Sequence, residues 1–237
     1  MLTFVCWLWK GWRPVYGPEH VNSLNRQLKK HMSVPHRLVC ITDDDTGIEC
    51  ETFPLWTMPR AKIPGRLDLA SQGVIPDCFI RLKMFDPKIG KLFGPRIVSI
   101  DMDCVILDDL APLFDNDYDF AAAKGYRSYL CGSLWQLRTG TNEDVWRGYD
   151  PVESPKIIAG TTHGGRPISG SDQAWMSICM PDAPLWGEAE GVYQFMELRP
   201  QRRVPKNARV VFFAGAINPW DVTCRMINRD LYDAYRA

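Results

Sequence analysis

Two aspartates one residue apart, Asp101 and Asp103, interrupt an apolar run that reads Arg96-Ile97-Val98-Ser99-Ile100 before them and Cys104-Val105-Ile106-Leu107 after them. Such a run, rich in β-branched residues, predicts a buried strand. On a strand, residues i and i+2 share a face, so the two carboxylates are expected to converge on one point. Two hard anionic oxygens suit Mg²⁺ or Mn²⁺, and an ion of that kind in turn holds a diphosphate. In open α/β sheets the carboxyl end of a strand is also where ligands bind. The blander use of a D-x-D is local capping, because Asp bonds readily to nearby backbone. Here Asp108 and Asp109, beside Leu110, are better placed to cap a short helix through Phe114, and capping explains Asp101 and Asp103 less well.

The elements that must position this pair follow from hydrophobic period. Leu2 to Trp9 predicts a first strand, broken at Lys10-Gly11, and His36 to Thr42 a second, ended by Asp43-Asp44-Asp45. Between them Glu19 to His31 carries Val21, Leu24 and Leu28 at helical spacing. Phe53 to Gly65 holds three prolines and reads as loop, while Phe79 to Phe85 reads as helical with Ile80 and Met84 inward. Asp119 to Ala123 and Arg209 to Ala214 read as later strands. Gly- and Pro-rich chain between about 150 and 170 is expected to be a mobile loop over the site. Strands alternating with helices predict an α/β fold with a largely parallel sheet.

A chain of 237 residues, 46% hydrophobic and 24% charged, can bury one sizeable core, and residues 1–237 are expected to form a single domain. The 28 basic and 28 acidic residues balance, which removes the electrostatic footprint of a nucleic-acid binder. Eight cysteines are scattered with no C-x-x-C pair, several inside apolar runs, which favours reduced thiols and a cytoplasmic setting over a disulfide scaffold. No apolar stretch reaches the roughly 20 residues of a transmembrane segment. The short apolar start, running straight into Lys10-Gly11-Trp12-Arg13, reads as a core strand and not a signal peptide.

Taken in order, several of these pieces resemble a GT-A-fold nucleotide-sugar glycosyltransferase, nearest to the retaining group that includes glycogenin and bacterial lipopolysaccharide galactosyltransferases. The resemblance rests on Phe4-Val5-Cys6, Arg81 in Phe79-Ile80-Arg81-Leu82-Lys83, Asp101-Met102-Asp103, Ser171-Asp172-Gln173 and Phe212-Phe213-Ala214-Gly215-Ala216-Ile217-Asn218-Pro219-Trp220. It implies a mixed, mostly parallel central sheet flanked by helices. It also implies transfer of a sugar from a nucleotide-diphosphate donor, a UDP-sugar foremost, to a sugar or protein acceptor, with retention. Asp101 and Asp103 would hold Mn²⁺ or Mg²⁺ on the donor diphosphate, and Asp172 and Gln173 would face the anomeric carbon as the catalytic pair. A carboxylate or amide there steadies or attacks an oxocarbenium-like centre. Arg81 and Lys83 would help to offset the charge of the departing diphosphate. Trp12 and Tyr16 would offer faces to the donor, and Gly215 would lie against it. Gly132-Ser133, within Ser128 to Trp135, would allow close approach of a sugar hydroxyl.

The resemblance is incomplete at one place. The family carries a His shortly before its Pro-Trp as third metal ligand, and a Lys before the Pro; here the positions hold Phe212, Phe213 and Ala214, and Asn218. His163 is the candidate replacement from the loop. Two alternatives therefore stand beside the transferase: a nucleotide-sugar-binding relative with little turnover, and a haloacid-dehalogenase-type phosphatase using Asp101-Met102-Asp103-Cys104-Val105. The phosphatase reading lacks its usual near-terminal strand and its later G-D-x-x-x-D.

Overall fold

The computed structural model describes residues 1–10, 16–58, 78–125, 129–163, 165–168, 171–213 and 215–237. Strand β1 is Leu2–Leu8, β2 His36–Thr42, β3 Glu51–Pro54, β4 Arg96–Ile100, β5 Cys104–Ile106 and β6 Phe120–Lys124. Strand β7 is Leu130–Arg138, β8 Thr162–His163, β9 Arg166–Pro167, β10 Leu185–Trp186, β11 Val192–Gln194 and β12 Val210–Phe212. A seven-stranded sheet runs in the order β10-β6-β7-β4-β1-β2-β3, and a three-stranded sheet in the order β11-β12-β5. In the large sheet β4, β1, β2 and β3 are parallel, and β7 runs antiparallel to both β4 and β6.

Buried parallel strands bear apolar residues on both faces. In β1, Phe4 and Cys6 pack on one side with Leu24 and Leu28, and Val5 and Trp7 on the other with Phe79, Phe85 and Trp135. The alternation follows from the period of two along a strand. Helix Pro18–His31 covers the first face. Its Gly17 N-cap has no side chain to offer, and the Gly17 N–H donates instead to His20 Nδ1 at 2.8 Å. Lys29, Lys30 and His31 fall in the last turn, where basic groups suit the helix dipole. Helices Val222–Ile227 and Arg229–Arg236 close the outer face of the small sheet through Cys224, Leu231 and Tyr235.

Several expectations change here. The strand expected through the D-x-D is two strands: β4 ends at Ile100, β5 begins at Cys104, and the aspartates lie in the bend between them. The physical cause is a change of partner, since β4 pairs with β1 and β7 whereas β5 pairs with β12. Glu51–Pro54, read in part as loop, is an edge strand, a position that tolerates proline. The expected loop around 150–170 contains helix Glu153–Gly160 and the β8–β9 hairpin. Leu130–Arg138, read only as a binding segment, is a nine-residue strand between β4 and β6.

Candidate active site

The D-x-D is the junction of the two sheets. The Asp101 N–H donates to Ser133 O of β7 at 2.9 Å, which ties the first aspartate to the large sheet. The second is tied to the small sheet, because the Phe213 N–H just past β12 donates to Asp103 O at 2.9 Å. Met102 between them is buried, whereas both aspartates keep partial exposure. The alternation expected of a strand thus survives in a bend.

Arg81 lies on the 3₁₀ helix Cys78–Phe85 and is buried. Its Nη1 donates to Asp101 Oδ1 at 2.7 Å and to Gly132 O at 3.3 Å. Its Nε stands 2.7 Å from Asp172 Oδ2 as an ion pair, without the alignment of a hydrogen bond. Burial alone would lower the pKa of the guanidinium; the charges of Asp172 and then Asp101 outweigh it and raise it well above the ordinary value.

Asp172 opens helix Asp172–Cys179, where an acidic residue suits the dipole. Its side chain is 1% exposed, and its Oδ1 accepts from Ser171 Oγ at 3.0 Å. Ser171, the N-cap residue, makes no side-chain cap bond. Capping therefore does not account for the Ser-Asp pair; the carboxylate faces Arg81 and the hydroxyl serves the carboxylate. Gln173 is half-buried and accepts from the Gly132 N–H through Oε1 at 3.1 Å.

Asp103 stands apart from this ion network. Its Oδ2 accepts from Tyr16 Oη at 3.0 Å. Burial and then the neighbouring Asp101 charge push its carboxyl up to about 7, against the opposing effect of the Tyr16 bond. The Tyr16 ring meets His20 and Trp220 edge-on at 5.9 and 5.7 Å. The Trp of the C-terminal Pro-Trp therefore backs the tyrosine that reaches the D-x-D. Burial, and after it Asp103, raises the Tyr16 phenol above its ordinary range.

Among the described residues, the other candidates make no hydrogen bond or ion pair with Arg81, Asp101, Asp103 or Asp172. Lys83 Nζ sits over the Trp56 ring at 6.0 Å. Gly215 is exposed with φ +110°, a conformation that favours glycine, and an added Cβ would meet open space. Trp12 lies outside the described residues. His163, on the β8–β9 hairpin, packs against Tyr129 at 5.0 Å. Asn218, at the family's lysine position, places its N–H and Nδ2 on Asp221 Oδ2 at 2.7 and 3.2 Å. Among the described residues no group of three or more His, Cys, Asp or Glu is arranged to hold a metal. Two participants have roles that their motifs alone do not give: Ser171 and Trp220, each named above only as part of a motif. Ser171 bonds the carboxylate next to it, which a cap reading does not foresee, and Trp220 acts through a contact distant in the chain that no spacing rule exposes.

No family model matches the chain, and no curated protein matches it in sequence. Solved structures do match. The galactosyltransferase LgtC, in complex with donor and acceptor sugar analogues, aligns with a TM-score of 0.58 at 10% identity over 99% of this chain and 95% of LgtC. The bifunctional glycosyltransferase WbbM aligns with a TM-score of 0.60 at 12% identity over 99% of this chain and 48% of WbbM. The apo glycosyltransferase GlyE of Streptococcus pneumoniae TIGR4 aligns with a TM-score of 0.60 at 9% identity over 99% of this chain and 60% of GlyE. The chain thus spans about half of WbbM and three fifths of GlyE. At such identities the likeness is one of architecture: the chain has the GT-A fold of the nucleotide-sugar glycosyltransferases.

Proposed function

We propose that the protein transfers a sugar from a nucleoside-diphosphate donor, a UDP-sugar foremost, to a sugar or protein acceptor, with retention at the anomeric carbon. The observation that carries this reading is Arg81, which joins Asp101 of the D-x-D to Asp172 beside Gln173. One buried cation thereby brings the two expected halves of a transferase site together. Mn²⁺ or Mg²⁺ fits the carboxylates: burial and then the neighbouring Asp101 charge push Asp103 up to about 7, and a divalent ion would favour the ionised form against both. With two protein carboxylates, the remaining oxygen ligands of such an ion would come from the diphosphate and water. When bound, the ion would offset charge on the departing diphosphate. In this chain Asp101 and Asp103 hold it, Tyr16 orients Asp103, and Arg81 fixes Asp101 and Asp172. Arg81 holds the carboxylates through Nη1 and Nε. Eight free thiols and no helix among the described residues long and apolar enough to cross a membrane support a cytoplasmic setting.

Calorimetric titration of UDP with and without Mn²⁺, beside an Asp101→Ala/Asp103→Ala variant, tests the reading. Binding that needs both the metal and the aspartates is the expected result; absence of nucleotide binding under every metal condition overturns it. The lack of a third metal-ligating side chain among the described residues favours one second reading, a donor-binding protein with little turnover. Metal-dependent UDP binding without sugar release from any UDP-hexose would select it. The fold leaves the phosphatase reading without support.

A further inference from the structure

Between β11 and β12, residues 199–209 carry Arg199, Arg202, Arg203, Lys206 and Arg209 and no acid, in a chain whose 28 basic and 28 acidic residues balance. A cationic run in a neutral protein is a local surface that attracts anions. Arg209 is already engaged: its Nη1 donates to Asp109 O at 2.5 Å and stands 3.7 Å from Asp108 Oδ2. The other four are exposed, and among the described residues none of them has an ion pair or a side-chain hydrogen bond. The nearest acid in the chain, Glu197, is turned away from them, its Oε2 accepting from the Gln194 N–H at 3.1 Å.

The segment is anchored from beneath. Val204 and Ala208 pack with Phe195, Leu198 and Phe213 against the small sheet. The Gln201 and Arg202 N–H groups both donate to Leu198 O at 3.0 Å, and Arg202 takes φ +51°, a left-handed conformation uncommon outside glycine that these bonds close into a turn. Helix Phe195–Leu198 leads into it, with the Phe195 ring stacked on Phe213 at 4.4 Å. The Phe213 N–H is the group that donates to Asp103 O, so the helix preceding the four cations starts one ring away from the D-x-D backbone.

Three of the four cations are arginines, whose planar fork suits carboxylates and phosphates. Residues 199–209 hold no aromatic ring on which a base would stack. Val204 is half-buried, and Met196 of the preceding helix is the one exposed large apolar side chain from β11 to β12, too little for entry into a bilayer or for the anchor of a protein interface. A hydrophilic polyanion fits this surface best.

We infer that Arg199, Arg202, Arg203 and Lys206 form a binding surface for an acidic glycan, one that carries several carboxylates or phosphates. The assignment goes beyond the proposed transfer and stands or falls without it.

Oligogalacturonate supplies carboxylates without bases or lipid, phosphomannan supplies phosphates, and dextran is the neutral control. Calorimetry at low salt is expected to show binding of at least one acidic chain and none of dextran, with affinity falling as salt is added. The variant Arg199→Gln/Arg202→Gln/Arg203→Gln/Lys206→Gln should bind that chain roughly tenfold more weakly, or worse, and keep the wild-type urea midpoint and affinity for UDP in Mn²⁺. Binding of neither acidic chain, equal binding of dextran, or full affinity in the fourfold variant overturns the surface. Oligothymidylate or phosphatidylglycerol vesicles bound through the same four residues more tightly than either glycan overturn the choice of partner. If the wild type binds no UDP, the transferase reading falls, and the glycan titrations still decide this one.

Discussion

A guanidinium shared between two carboxylates makes Arg81 the most consequential side chain of the site. Its side chain is 9% exposed, and Asp172 beside it is 1% exposed, so removing the cation strands a buried charge. Arg81→Met should destabilise the protein by about 3–5 kcal/mol in urea unfolding, the usual result of breaking a buried pair on one side. Arg81→Lys should recover little of it, because one ammonium cannot reproduce the fork that reaches Asp101, Gly132 and Asp172. Asp103 makes a different prediction. Its carboxyl titrates near 7 in the folded, metal-free protein, against about 3.9 when unfolded. Between those values the folded state holds a proton that the unfolded state has lost. Its contribution is therefore most favourable below about pH 4, declines as pH rises, and is lost above about 7. Metal-free Asp103→Asn should accordingly gain over the wild type at pH 8, by on the order of 1 kcal/mol or more, and gain little at pH 4. Thermal melts in chelator at the two pH values check this, and Mn²⁺ should reverse the order at pH 8 by stabilising only the wild type. At this scale the sequence revealed the residue types better than their partners. Asp101 stands out by its place after an apolar run, whereas Arg81, Asp172 and Gln173 are singled out only by the family resemblance. Their union was not legible, because the Arg81 to Asp172 contact spans a distance in sequence over which no spacing rule operates.

Among the elements, those with a clean period were the readable ones. His36 to Thr42 coincides with β2, and the helix expected from Glu19 to His31 begins one residue earlier at Pro18. Strand β7 was obscured because Cys131-Gly132-Ser133 breaks its apolar character where it meets the site, although every residue from Leu134 to Leu137 is buried. Helix Glu153–Gly160 was hidden by the glycines and prolines that bound it. The D-x-D was misassigned for a tertiary reason: nothing local shows that the chain leaves one sheet and enters another between Ile100 and Cys104. What fastens the second sheet to the first includes Gln27, buried on helix Pro18–His31, whose Oε1 accepts from the Ile106 N–H of β5 at 2.7 Å. Gln27→Leu leaves that buried N–H unpaired and should cost about 1–3 kcal/mol. Chemical denaturation measures the loss, and hydrogen exchange should show faster exchange at Ile106 than in the wild type.

For the molecule as a whole, the balanced charge and the α/β class were legible from composition and the order of elements, and the sheet order was not. Ligand linkage acts at this scale. With UDP and Mn²⁺ at about 100 times the dissociation constant, stabilisation of roughly 2.7 kcal/mol is expected. In a chain of 237 residues that corresponds to a rise in Tm of about 5–10 °C. Differential scanning fluorimetry should show it for the wild type and not for Asp101→Ala/Asp103→Ala. The junction between the sheets gives this coupling a mechanical side. One aspartate is pinned by its backbone to β7 and the other to the residue after β12, so the gap between their carboxylates gauges how the two sheets are set against each other. An ion that bound only one value of that gap would hold the two sheets at one setting, and by reciprocity whatever tilts the small sheet would alter its affinity. Substitutions in the packing of Cys224 or Leu231 against β12, remote from any ligand, would then tune the metal as a set-screw tunes a calliper.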